Sequence, residues 1–306
     1  MHGSDVCFRK FINAGKHYGV GTLILGGDIT GKLIVPIMEK PNGSYEYNYI
    51  GKKVEMKSKE EVEDNIKVIR DSGAYPFMSN DEEYEMLSKD PAKVRELFIK
   101  LMKEGLTRWF AIAEERLKGT GMQCYISPGN DDFFELDSTL DSSGFVVNPE
   151  GKVVEIGAGH EMLTLGFANH TPWNSPREVD EDVLGQKIEA MMGGIKDMKK
   201  AVFNLHVPPI NTPIDQAPML DKDFKPVFKG GNLQMISAGS TAVRKSIEVH
   251  QPLIGLHGHI HESRGLIKIG KTLCLNPGSE YNSGILRGAV CELEGDRVKS
   301  HVLTSG

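Results

Sequence analysis

The chain has 306 residues, of which 39% are hydrophobic and 25% charged, with 34 Gly and 15 Pro. These fractions are typical of a globular protein and exclude a disordered or collagen-like chain. Asp and Glu total 42 against 36 Lys and Arg, and the resulting net charge of −6 makes nucleic acid an unlikely partner. We find no run of about 18 apolar residues that would predict a membrane span, and no signal-peptide pattern. We therefore expect a cytoplasmic protein whose cysteines are reduced, namely Cys7, Cys124, Cys274 and Cys291.

Helical and strand-like patterns alternate along most of the chain. Phe8, Phe11 and Ile12 have helical spacing and predict a helix over residues 6–17. Continuous apolar runs separated by helices are typical of a sheet that is buried on both faces, which predicts an α/β fold. The strand-like runs cover residues 20–25, 122–127, 201–205 and 253–256.

Residues 33–120 have a different pattern and are predicted to form an insertion within a single domain of residues 1–306. A Pro-Asn-Gly-Ser turn at 41–44 separates apolar runs at 33–38 and 45–56, which predicts a hairpin. A charged helix follows over 58–71. Asp90 and Pro91 then begin a long helix that continues to Gly119. The segment is expected to form a cap or one wall of a cleft, although the long helix is alternatively an ordinary layer of the main fold.

The carboxyl-terminal part of the chain predicts antiparallel strands. Gly270-Lys271 and Glu294-Gly295-Asp296 are turn sequences, and each lies between two strand-like runs. These runs cover residues 266–269, 272–275, 289–293 and 298–303.

A polar residue suited to metal binding follows each of the four apolar runs. Ligands of open α/β sheets bind beyond the carboxyl ends of the strands, so these side chains are expected to converge. Carboxylate, amide oxygen and imidazole together suit divalent Mn, Fe or Zn. The residues in question are Asp28, Asn130, His206, His259 and His261.

Six short motifs in this order resemble the calcineurin-like metallophosphoesterases, in particular their prokaryotic branch. The resemblance spans the chain except for the insertion, and the ordered set is far more specific than any one motif. The motifs are His2-Gly3-Ser4, Gly27-Asp28, Gly129-Asn130-Asp131, His206, Gly258-His259-Ile260-His261 and Asn276-Pro277-Gly278-Ser279.

This resemblance implies a four-layer α/β/β/α sandwich of two mixed sheets, with a two-metal site at the carboxyl ends of the strands. It also implies hydrolysis of phosphomonoesters or phosphodiesters by a metal-bridging hydroxide that attacks phosphorus in line. Asp28 would bridge the two ions. His2 and His261 would complete the site of one ion, and Asn130, His206 and His259 that of the other.

The first motif departs from the family pattern, because its aspartate and the strand that carries it would lie ahead of Met1. The loss of a central strand would remove several buried apolar side chains, each worth about 1.5–3 kcal/mol. We therefore expect the natural chain to begin about eight to ten residues earlier, with a short apolar strand ending in Asp. An in-frame stop codon immediately before Met1 would contradict this expectation.

The third motif also departs from the family pattern, because Asp131 stands where the family has a histidine that protonates the leaving oxygen. An aspartate with an ordinary pKa near 3.9 is a poor general acid at neutral pH. Either its surroundings raise that pKa, or another residue substitutes, or only good leaving groups react. His170 is the candidate substitute, so Asp131 and His170 are the predicted catalytic residues.

Two other functions remain open from the sequence. A non-catalytic binding module on the same fold, like the retromer subunit that resembles these enzymes, would account for both departures. A nuclease subunit of a DNA-repair complex is disfavoured by the acidic composition, and it would show DNA binding that weakens steeply with salt. The leading prediction is an enzyme that acts on a small-molecule phosphoester.

Overall fold

The structure is a computed structural model that describes residues 1–306. Helices and strands alternate along the chain, and the predicted α/β class is confirmed. None of the helices is both long enough and apolar enough to cross a bilayer. The helices are α1 (Asp5–Tyr18), α2 (Lys59–Asp71), α3 (Asp81–Ser88), α4 (Pro91–Leu117), α5 (Asp137–Asp141), α6 (Glu181–Met191) and α7 (Thr241–His250).

Eighteen strands accompany the helices, and most of them have three to six residues. In chain order they are β1 (Thr22–Gly26), β2 (Ile34–Glu39), β3 (Tyr45–Tyr49), β4 (Lys52–Met56), β5 (Tyr75–Asn80), β6 (Gln123–Ser127), β7 (Val153–Glu155), β8 (Glu161–Leu165), β9 (Ala201–Leu205), β10 (Gln216–Pro218), β11 (Phe228–Lys229), β12 (Asn232–Leu233), β13 (Met235–Ser237), β14 (Ile254–Leu256), β15 (Gly265–Ile269), β16 (Thr272–Asn276), β17 (Arg287–Glu294) and β18 (Arg297–Ser305).

The largest sheet has six strands in the order β15-β16-β14-β9-β8-β7. Its four inner strands are parallel, and antiparallel β15 and β7 form the two edges. Every residue of β9 and of β16 is buried, as expected for parallel strands that are covered on both faces. Because β9 and β14 are parallel neighbours, the residues that follow them, His206 and His257–His261, lie at the same edge of the sheet.

The second strand layer consists of two separate pairs. β1 and β6 are parallel, whereas β17 and β18 form an antiparallel hairpin. Tyr125 of β6 packs with Ile254 and Leu273 of the six-stranded sheet, and Ala289 and Cys291 of β17 pack against the same cluster. The resemblance implied two mixed sheets in the sandwich, and in this second layer the strands form two separate pairs. No strand within the chain hydrogen-bonds β1 to β17.

A cavity of about 860 Å³ separates β1 from β17 and reaches the loops at the ends of the strands. All five residues of β1 line it, together with residues 287–293 of β17. Phe11 of α1 lies on one side of the cavity, and Ile254 and Leu256 of β14 lie on another. The cavity therefore lies between the two pairs. We refer to it as the strand slot.

Helices cover the outer side of each strand layer. Phe8 of α1 stacks on Trp109 of α4 with the ring centroids 4.3 Å apart, and both rings share a core with Leu23 of β1. On the far side of the six-stranded sheet, Leu184 of α6 and Val243 of α7 share a second core with residues of β8 and β9. Since α4 belongs to the main core, it is a layer of the main fold, as the alternative interpretation held.

The segment between β1 and α4 forms a small unit of its own. Its sheet has the order β4-β3-β2-β5, and Val35, Tyr47, Val62 and Ile69 form part of its separate core. The single strand predicted over 45–56 is wrong. The chain turns at residues 50–51, where both residues have positive φ, so that β3 and β4 form a hairpin.

Candidate metal centre

The loop after β1 brings Asp28 into the centre of the site. Gly27 has φ 124°, and a Cβ at this position would lie 2.2 Å from His206 Nδ1, so only glycine allows the ring to approach so closely. The His206 Nδ1–H donates to the Gly26 carbonyl at 2.9 Å. That bond fixes the ring and directs Nε2 at Asp28, whose Oδ2 is 3.3 Å away.

Asp28 is shared by two groups of potential metal ligands. His2 and His261 complete one group, and His206 and His259 complete the other, with the ligand atoms of each group within 4.8 Å of one another. Asp28 Oδ2 lies 3.5 Å from His2 Nε2. His2 has no exposed surface, and Asp28 is 4% exposed. A single buried carboxylate therefore faces two pairs of imidazoles.

Asn130, at the end of the loop after β6, presents its amide oxygen to the second group. Asn130 Oδ1 lies 2.8 Å from His259 Nδ1 and 3.1 Å from His206 Nε2. The amide nitrogen donates to Asp131 Oδ1 at 3.2 Å and to Glu178 Oε1 at 3.5 Å, which orients the oxygen towards the histidines. All six residues predicted as metal ligands are thus brought together by the fold.

The charges of the site match what a metal centre requires. Burial alone would raise the pKa of Asp28, but His206 and His2 hold it well below its usual range. Burial lowers the pKa of His259 to about 3 and also lowers the pKa of His2. The site therefore pairs an ionised carboxylate with neutral His2 and His259, whereas Asp28 raises the pKa of His206 against the effect of its burial. Binding of a metal requires the neutral form of each of these rings.

The residues fit a pair of divalent ions on geometric grounds as well. His2 Nε2 and His261 Nε2 face one another at 2.9 Å, so at most one proton can lie between them. The other nitrogen of His2, Nδ1, is buried and has no hydrogen-bond partner. A cation bound by both Nε2 atoms would take the place of the single shared proton. The mixture of oxygen and nitrogen donors suits Mn, Fe or Zn.

Asp132 joins the two ligand-bearing loops and was not predicted as a functional residue. Its carboxylate accepts the backbone N–H groups of Ile29, Thr30 and Gly129 at 3.0, 2.9 and 2.7 Å, and also the Thr30 hydroxyl at 2.5 Å. Burial and the neighbouring Asp28 raise the pKa of Asp132. The motif ends at Asp131, and nothing in the sequence indicates a role for the next residue, Asp132.

The two predicted catalytic residues have different surroundings. Asp131 lies at the site, where it forms an ion pair with Lys32 and accepts the Ser175 hydroxyl at 2.6 Å. The side chain of His170 is 58% exposed, and its Nε2 lies 3.1 Å from Asp180 Oδ1. His170 belongs to neither group of ligands. The structure therefore brings Asp131 to the ligands and leaves His170 on an exposed loop.

His257 and Tyr281 complete the surroundings of the ligands. The His257 Nδ1–H donates to the Leu205 carbonyl at 2.8 Å. The ring of Tyr281 lies 4.7 Å from that of His2 and 6.0 Å from that of His261. Tyr281 thus covers one side of the first ligand group and was not singled out by the sequence.

Comparison with known proteins identifies similar chains but no family. No family model matches the sequence. An uncharacterized protein of Methanocaldococcus jannaschii, MJ1162, is 35% identical over 158 residues, which are 51% of this chain and 64% of that protein. The chain thus matches less than two thirds of the length of this relative.

Two solved structures show limited similarity. One aligns with a TM-score of 0.44 and 16% identity, covering 80% of this chain and 90% of its own. The crystal structure of TT1561 of Thermus thermophilus aligns with a TM-score of 0.40 and 16% identity, covering 60% of this chain and 73% of its own. Similarity at this level carries no information about activity, which must be inferred from the site.

Proposed function

We propose that this protein is a metal-dependent hydrolase of phosphomonoesters or phosphodiesters. The observation that supports the proposal is the shared carboxylate, because Asp28 stands between two groups of imidazoles whose ligand atoms lie within 4.8 Å of one another. Such an arrangement would hold two divalent ions, Mn, Fe or Zn, close together. When bound, two such ions activate a water molecule and neutralise the charge on the phosphoryl oxygens.

Six residues of the chain would hold the two proposed ions, and their neighbours would orient them. His2 and His261 would bind one ion and Asn130, His206 and His259 the other, with Asp28 common to both. The Gly26 carbonyl fixes the His206 ring, and Asp132 ties the loop of Asp28 to that of Asn130. Partners of this kind orient the ligands directly bound to a metal and are worth about 10–100-fold in metal affinity.

The proton donor for the leaving group would come from Asp131 or His170. Asp131 accepts hydrogen bonds from Ser175 and Asn130 and pairs with Lys32, so its observed partners use it as an acceptor. Its contact with the Asn130 amide favours a role in positioning that ligand. His170 lies on an exposed loop, and only its neighbour Thr171 is linked to the site, through Glu178 and Asn130.

The first test is the number of metal ions per chain after equilibration with Mn²⁺, measured by elemental analysis. A value near two, together with hydrolysis of p-nitrophenyl phosphate or its diester, is the expected result. Two ions without hydrolysis of either ester would favour the non-catalytic binding module. A value near zero would contradict the proposed metal centre.

A further inference from the structure

Lys32 lies at the edge of the ligand cluster, and neither the motifs nor the proposed metal ligands account for it. Its ammonium group pairs with the carboxylate of Asp131, and its side chain is 54% exposed. Asp131 is adjacent to the proposed ligand Asn130, and its backbone N–H donates to Asp28 Oδ1 at 3.3 Å. A cation that remains accessible to solvent is thus held next to two of the proposed ligands.

The backbone ahead of Lys32 is fixed by tertiary contacts. Thr30 is bonded to Asp132 through both its N–H and its hydroxyl, and the Gly31 N–H donates to the Tyr75 hydroxyl at 2.9 Å. A Cβ on Gly31 would lie 1.9 Å from the carbonyl oxygen of Gly73, so the loop packs directly against the segment that precedes β5. The loop therefore holds Lys32 at a fixed position relative to Asp28.

The partner of Lys32 is itself held in place. Asp131 accepts from Ser175 and from the Asn130 amide nitrogen, so it cannot follow Lys32 if the lysine turns away. The Lys32 side chain is long and flexible, whereas the backbone that carries it and the Asp131 carboxylate are both held in place. An anion bound over the ligands would compete with Asp131 for the same ammonium group.

We propose that Lys32 binds a phosphoryl oxygen of the substrate and selects phosphomonoesters over phosphodiesters. This inference rests on the proposed function. A monoester dianion carries one more charged oxygen than a diester, in which that oxygen is esterified. Lysine is a common phosphate ligand that acts as a point charge, so it favours the more highly charged substrate.

The test compares Lys32→Ala and Lys32→Arg with the wild-type protein, each loaded with Mn²⁺. Calorimetric titration with inorganic phosphate should show affinity reduced about 10-fold or more in Lys32→Ala, since the lost bond joins two charged groups. Lys32→Arg, which keeps the charge, should recover most of the affinity. Lys118→Ala removes an exposed lysine that pairs with Glu114 on α4, and it serves as the matched control.

Hydrolysis then tests the selectivity. In Lys32→Ala, kcat/KM for p-nitrophenyl phosphate should fall about 10-fold or more, whereas that for bis(p-nitrophenyl) phosphate should change less than about 3-fold. An equal fall for both esters, or unchanged affinity for phosphate, would overturn the proposal. If neither ester is hydrolysed by the wild type, the proposed function fails, and phosphate titration of the metal-loaded protein still tests Lys32.

A second variant is expected to change phosphate affinity in the opposite direction. Asp131→Asn keeps the size of the side chain and removes the charge that pairs with Lys32, so phosphate should bind more tightly than to the wild type. Metal content is measured in parallel, because Asp131 also contacts Asn130. Unchanged or weaker phosphate binding at full metal content would overturn the competition between Asp131 and phosphate.

Discussion

The two strand layers differ in continuity although both supply ligands to the same site. The six-stranded sheet is unbroken, and it supplies His206 after β9 and His259 and His261 after β14. The other layer is divided by the strand slot, and its β1–β6 pair supplies Asp28 and Asn130. The loops that carry the site residues are therefore held in a different way in each layer.

This difference shows how a loop that carries a site residue can be fixed although its sheet is incomplete. On the six-stranded sheet, buried parallel strands on both sides hold the loops that carry the histidines. On the β1–β6 pair, Asp132 substitutes for such support by bonding the loop of Asp28 to that of Asn130. We therefore expect the two halves to respond differently to substitution.

The largest effect is expected from Asp28→Asn, which removes the only charge among the six proposed ligands. Because Asp28 belongs to both groups, its loss should weaken binding of both ions and reduce hydrolysis more than about 100-fold, beyond the cost of a residue that only orients a ligand. His206→Gln, on the complete sheet, should reduce the metal content by one ion. Elemental analysis after Mn²⁺ equilibration measures both.

Asp64→Asn is the matched control for Asp28→Asn, because this exposed carboxylate on α2 lies outside the site. It should keep the metal content of the wild type. Two ions in Asp28→Asn at wild-type affinity would show that the divided layer contributes no shared ligand.

Glu150→Gln tests the six-stranded sheet without changing the ligands. Glu150 accepts the Gly166 N–H at 2.8 Å just beyond β8, and burial raises its pKa to about 7, although Arg177 opposes the shift. A carboxyl group whose pKa is raised on folding contributes stability below its unfolded pKa near 4.5, and this contribution is lost as the pH rises through about 7.

The wild type should therefore lose up to about 3 kcal/mol of unfolding free energy from this group between pH 4.5 and pH 8. Glu150→Gln keeps an acceptor for Gly166 and has no charge, so its stability should vary less over that range. Urea unfolding at both pH values measures the difference. Parallel pH profiles for the two proteins would contradict the raised pKa.

Asp132→Asn tests the support of the divided layer. An amide in place of the carboxylate would direct N–H groups at backbone donors, so some of the four hydrogen bonds to Asp132 would be lost. We expect Mn²⁺ affinity to fall about 10–100-fold and unfolding free energy to fall by about 1–3 kcal/mol. Asp223→Asn, at an exposed turn, is the control, and equal Mn²⁺ affinity in both variants would show that Asp132 does not position Asp28.

Strand-end placement predicted which side chains lie together, because it depends on short-range sequence. Asp28, Asn130 and His206 each follow an apolar run of about five residues, and parallel strands place such residues at one edge. Lys32 and Asp132 could not be predicted in this way. Their roles depend on partners about 100 residues away, and neither stands at a spacing that indicates chemistry.

Among the strands that the sequence did not predict, β8 and β5 were missed for physical reasons that the structure supplies. β8 lies inside the six-stranded sheet, yet it contains Thr164, whose hydroxyl accepts from Asn204 of β9 at 3.2 Å. This buried polar pair conceals the apolar character of a central strand. β5 contains Pro76, which argues against a strand, but β5 pairs only with β2 and proline is tolerated at an edge.

The strand slot between β1 and β17 can be examined directly by adding a strand to it. The Met1 amino group lines this region, and burial lowers its pKa, so it is a poor place for a charge. An extension of six residues, Lys-Val-Ile-Val-Ile-Ser, fused ahead of Met1 would replace the amine with a peptide bond. It could pair with β1 on one side and β17 on the other.

This extension should raise the melting temperature by a few degrees, since each kcal/mol shifts the midpoint by about 2–4 °C in proteins of roughly 150–250 residues. It should also slow hydrogen exchange of the β1 amides. The control, Lys-Val-Pro-Val-Pro-Ser, has the same length and charge but lacks two of the backbone N–H groups, so it cannot complete the ladder on one side. If both extensions raise the midpoint equally, the gain comes from removing the buried amine. A gain confined to the first extension means that the divided layer differs from the six-stranded sheet by one strand.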